Sequence, residues 1–172
     1  MKINLTTTPY LSVLSILLLT GFLTVPAFAA SAQATVSVKV VRHITVTNKA
    51  NMSFGHLSVG ETAGAVVLGQ DGSRNPTGGV ILETGGSSTP ASFTATGEPN
   101  TSFAVTLPEF ITMTDSGGNA MTVDSFNSTA GNTGKFDDTG KQELNVGATL
   151  RVNANQALGN YTGSMNISIN YN

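Results

Sequence analysis

The chain contains no cysteine and no tryptophan, and only two histidines. Charged side chains make up 10% of it and aromatics 6%. Each shortage excludes something. Without cysteine there is no disulfide scaffold, no thiol nucleophile and no thiolate metal site. Removal of Lys2 with a leader leaves seven basic residues against ten acidic ones, a formal charge of −3. So few cations cannot supply the phosphate contacts of a nucleic-acid interface. Beyond the first thirty residues, no stretch of eleven keeps apolar side chains at helical spacing between plausible caps. Threonine, serine, asparagine and glycine abound instead. They make a surface that is polar without being ionic, and β-branched threonine suits a pleated strand.

The first residues read as a leader rather than as fold. Lys2 supplies a short positive region, Leu11 to Leu19 form an apolar stretch, and Pro26-Ala27-Phe28-Ala29 offers an A-x-A cut after Ala29. A second A-x-A, Ala30-Ser31-Ala32, places the cut after Ala32. This is the pattern of a secretory signal peptide over residues 1–29. A membrane anchor fits less well, because Ser12, Ser15, Thr20 and Gly21 interrupt the run and no basic stop-transfer flank follows. The expectation is an exported protein with no transmembrane segment after processing, passing through the periplasm to the cell surface or beyond. Its one domain spans 30–172, a size that buries a core without disulfides.

The rest alternates with a period of two. Ala34, Val36, Val38 and Val40 share one face of the first run, and Ile44 and Val46 follow. Phe103, Val105 and Leu107 make a later run, and Leu144 to Val152 a long one. The final stretch, GNYTGSMNISINYN, puts Tyr161, Gly163, Met165, Ile167, Ile169 and Tyr171 on one face without a slip. Nine or ten such strands, separated by glycine-rich turns, predict an all-β, antiparallel, immunoglobulin-like sandwich, with a closed barrel as the alternative.

Catalysis finds no foothold. Asp115-Ser116-Gly117-Gly118 resembles a serine-protease nucleophile loop, but that chemistry needs a histidine base and an orienting carboxylate. His43 lies within a strand pattern and His56 follows Phe54-Gly55. A turn explains Asp115 to Asn119 better. Asp137-Asp138-Thr139-Gly140 lacks the alternate oxygens and distal glutamate of an EF-hand-type calcium loop. Two separate histidines and no cysteine leave no transition-metal set. The reading is a non-enzyme with no catalytic, cofactor-binding or metal site. A glycan-binding or cell-recognition module is the alternative function, yet the aromatics, Phe93 and Phe103 among them, mostly fall where a strand turns them inward.

Several blocks together resemble a known group. They are Phe54-Gly55-His56-Leu57, Ala91 to Gly97, Phe103 to Pro108, Met121 to Phe126, and the tail from Leu144 to Tyr171. Their order is similar to that of a domain-of-unknown-function family of secreted bacterial proteins, itself similar to chaperone–usher fimbrial and pilus subunits. The resemblance implies a structural subunit of a surface fimbria that adheres or assembles by exchanging strands. It implies self-association into a fibre, with a periplasmic chaperone and an outer-membrane usher as partners. Ala34, Val36, Val38 and Val40 then become a candidate donor strand, or else the domain's own first strand. The absence of a glycine from this segment, of a flexible linker before Ile44, and of the disulfide common in such pilins all depart from the pattern. Tyr161, Met165, Ile167, Ile169 and Tyr171 become the strand that the chaperone pairs with.

Overall fold

The computed structural model describes residues 29–172; the leader expected over 1–29 lies outside the described residues but for Ala29. The chain divides into two units, residues 1–38 and 39–172. Within the first, residues 29–38 are exposed and carry no regular secondary structure. The second holds ten strands. They are β1 (Thr45–Ala50), β2 (Leu57–Leu68), β3 (Arg74–Leu82), β4 (Ala91–Thr96), β5 (Ser102–Thr106), β6 (Phe110–Thr114), β7 (Ala120–Ser128), β8 (Thr133–Lys135), β9 (Lys141–Val152) and β10 (Ser168–Tyr171). All pair antiparallel, in a seven-stranded and a three-stranded sheet that do not close into a barrel. The architecture is the expected β-sandwich.

Strand β9 organises the larger sheet. Val146 pairs with both Ala91 of β4 and Ser128 of β7, and Leu150 pairs with both Val66 of β2 and Val123 of β7. Strand β7 therefore runs along one edge of β9, while β4 and β2 share the other end to end. The handover falls at Gly147, where a Cβ would lie 2.4 Å from the Leu68 carbonyl oxygen. Only glycine lets the end of β2 approach that closely. Flanked on both edges, β9 buries Leu144 and every residue from Val146 to Leu150.

The smaller sheet, ordered β10-β5-β8, covers only part of the larger one. Beneath it lies a core of Phe93, Ala95, Phe103, Val105, Phe136, Leu144, Val146 and Ile169. A second core gathers Val66, Leu68, Val80, Met121, Val123, Leu150 and Val152 from β2, β3, β7 and β9. No residue of β5, β8 or β10 belongs to it. Met52 and Phe126 pack against both cores and join them. A sheet with an apolar face needs a second layer over it, and here the second layer stops halfway.

Two local expectations change. The first strand of the domain begins at Thr45, so residues 34–40 are not part of a strand. The final alternating stretch is a paired strand only from Ser168 to Tyr171. Its pairing ends where Ser168 faces Thr106, because Leu107-Pro108 follows and proline has no N–H to extend the ladder. From Tyr161 to Ile167 the side chains still alternate between half-buried and exposed, save that Gly163 is exposed too. Apart from an isolated bridge between Thr162 and Thr114, that backbone belongs to no ladder.

Candidate functional site

The uncovered half of the larger sheet is an open groove of about 880 Å³. Its floor is the inward face of three neighbouring strands: Ile111 and Met113 of β6, Met121 and Val123 of β7, Leu150 and Val152 of β9. One rim runs from Asn51 to Val59, the other from Gln156 to Met165. The floor is apolar because every second side chain of these strands points to the core side, as the period of two requires.

Both rims are built, not loose. Arg74 donates from Nη1 to the carbonyls of Phe54 and His56, at 2.9 and 3.1 Å. Ser53 exchanges backbone hydrogen bonds with Thr89, each 2.9 Å. On the opposite rim Gln156 donates from Nε2 to the Ala120 carbonyl and to the Tyr161 hydroxyl, which in turn donates to the Ala157 carbonyl at 2.7 Å. At the lip of this rim Leu158 is 97% exposed.

The candidate residues fall in different settings. Val36, Val38 and Val40 are 94%, 86% and 87% exposed, and Ala34 is exposed with them. Tyr161 and Met165 line the groove. Ile167 is half-buried and Ile169 buried over the other core. Tyr171 packs its ring against Phe136, edge to face at 6.2 Å. Its hydroxyl accepts the Glu98 N–H at 2.7 Å and donates to the Arg42 carbonyl at 2.5 Å. The Arg42 N–H donates to Glu98 Oε2 at 3.3 Å, closing a three-residue clasp. A smaller gap of about 430 Å³ opens beside it, between residues 41–44 and Ile169 to Tyr171. The clasp was invisible in the sequence. Arg42, Glu98 and Tyr171 lie far apart in the chain and carry no shared pattern.

The protease-like and calcium-loop-like stretches at Asp115 and Asp137 are turns. Asp115 accepts at Oδ1 from the N–H groups of Gly117 and Asn119, and at Oδ2 from the Asn119 amide. Asp137 does the same between β8 and β9, accepting from Thr139 and Lys141 N–H and from the Thr139 hydroxyl. These hydrogen bonds hold both carboxyls below the usual aspartate range, led by the Asn119 amide in one and the Lys141 N–H in the other. Ser116 makes no hydrogen bond with either histidine among the described residues. Nor do three His, Cys, Asp or Glu side chains cluster among those residues as a metal would require. No described helix is long and apolar enough to cross a membrane.

The fold and groove define a β-sandwich protein with an incompletely covered sheet. Residues 44–171 match the domain of unknown function DUF4402, and the chain belongs to that family. No curated protein and no solved structure matches it.

Proposed function

We propose that the protein is an exported, non-enzymatic structural subunit of a surface fimbria-like assembly, and that copies associate by strand addition. One observation carries this reading. An alternating apolar segment, Ala34 to Val40, stands exposed outside every strand, in a domain whose larger sheet is half uncovered. Single exposed apolar residues are ordinary on protein surfaces, but a comb of three valines in a chain that also carries an unfilled apolar groove is not. Burying each valine would gain about 1.5–3 kcal/mol. Main-chain hydrogen bonds would set the register, and alternate side chains would enter the groove. Contacts of this head-to-tail kind do not close on themselves, so they build fibres.

The terminal segment fits the same scheme. Tyr161 to Ile167 is already poised with alternating side chains, yet its backbone lacks a ladder. A periplasmic chaperone strand could pair with it during export, before a second subunit does. Light scattering on the mature protein, with and without residues 30–41, tests the proposal. Concentration-dependent multimers that vanish on truncation are expected. A monomer in both forms would sink strand addition.

A further inference from the structure

We propose that the groove binds a soft monovalent metal ion of the Cu(I) class on the thioethers of Met113, Met121 and Met165. The chain has five methionines, and every one beyond Met1 lines this groove: Met52, Met113, Met121 and Met165. Methionine ordinarily serves to fill irregular gaps in a closed core. Here Met52, Met113 and Met165 are only half-buried, and the second layer leaves the floor of the groove open. The proposal stands apart from strand addition and does not depend on it.

Two of the donors come from the floor. Met113 of β6 and Met121 of β7 are direct cross-strand partners there. The Cβ atoms of such partners stand about 4.5–5.5 Å apart, and the flexible methionine side chain lets the two thioethers converge. The third donor comes from the rim that ends at Met165. An antiparallel bridge joins Thr114 to Thr162, and a Cβ at Gly163 would lie 3.1 Å from Met113 Cγ and 3.4 Å from its Cα. Gly163 therefore lies directly beside Met113, and its missing side chain leaves room for that of Met113. Met165 follows two residues on, about 6–7 Å along an extended chain. Half-buried and lining the groove, it comes diagonal to Met113, within reach of a long side chain. The donor set selects the ion. None of the residues lining the groove is Asp, Glu, Lys or Arg. Calcium and magnesium take carboxylate oxygens, which the lining does not offer. A divalent charge would also stand uncompensated against an apolar floor. Neutral thioethers are the soft donors that suit Cu(I) with its single charge.

Titration with Ag(I) tests this, because it shares the charge and softness of Cu(I) and needs no reductant. The cysteine-free chain offers no thiolate to compete. With isotope-labelled methionine methyl groups, Ag(I) should shift the NMR signals of Met113, Met121 and Met165 together, saturating at one ion per chain. Zn(II) should leave those signals in place. Met113→Leu and Met121→Leu conserve volume and are among the best tolerated core exchanges. Each should weaken Ag(I) binding by about 10–100-fold, as even the loss of a ligand's outer-shell partner does. Cu(I) kept reduced with ascorbate and competed against a chromophoric chelator should rank the variants in the same order. In the unsubstituted protein, unmoved methyl signals, or binding no tighter than to free methionine, overturn the proposal. So does binding that survives both leucine substitutions, or that is lost in His56→Asn instead, since His56 also lines the groove. Equal shifts with Zn(II) overturn the assignment to a soft ion.

Discussion

Tyr171 and Gly134 show how single residues fix the packing of the smaller sheet. The Tyr171 ring rests on Phe136, and its hydroxyl is shared between Glu98 and Arg42, so truncation removes packing and two hydrogen bonds at once. Tyr171→Ala should lower the yield of folded protein well below that of Ser116→Ala, whose site is an exposed turn. Quantifying soluble folded protein for both checks this; equal yields would reduce Tyr171 to ordinary packing. Gly134 in β8 lies against the fully buried Phe103, and a Cβ there would stand 2.3 Å from the ring's Cζ. Phe103 itself packs tilted against Phe136, ring centroids 4.4 Å apart, and cannot give way cheaply. Gly134→Ala should therefore cost about 1–3 kcal/mol by overpacking. Urea unfolding should show a lower midpoint at unchanged slope.

Strands and turns differ in how readable they were. Strand β9 was legible from Leu144 to Val152 because both its edges are paired and its apolar period is unbroken. The terminal segment was half legible. Its alternation marked which side chains turn inward, Gly163 excepted, but a ladder also needs a neighbour, and Pro108 removes it beyond Thr106. The turns were legible by chemistry, since Asp115 and Asp137 each cap a chain reversal with a carboxylate. Their folded-state pKa values are depressed, so the stabilisation is present above the ordinary aspartate value near 3.9. It is lost as pH falls through the lower folded values. Asp124 adds to the same trend through its hydrogen-bonded pair with Arg151, at 2.9 Å across β7 and β9. Thermal unfolding should hold level from pH 6 to about pH 4 and decline below it. The double substitution Asp115→Asn, Asp137→Asn should flatten that decline; an unchanged slope would place the acid sensitivity elsewhere.

For the whole molecule the decisive feature is the mismatch of its two sheets, seven strands against three. A ligand that binds only the folded state raises its stability by mass action. A synthetic peptide spanning residues 33–41, at about 100 times its dissociation constant, should stabilise protein lacking residues 30–41 by about 2.7 kcal/mol. For a domain of this size that is a rise in melting temperature of roughly 5–10 °C. A peptide with Val36 and Val38 changed to serine should give no shift. The sequence by itself determined the all-β class, the inward faces of most strands and the turn residues, because these follow from local periodicity and backbone preference. It also isolated the valine comb and the terminal alternation. Only the tertiary structure decided that residues 34–40 stay outside the sheets, that the second layer stops halfway, and that Tyr171 reaches Arg42 and Glu98. Those outcomes depend on which strands find neighbours across the chain, and a period of two carries no information about that.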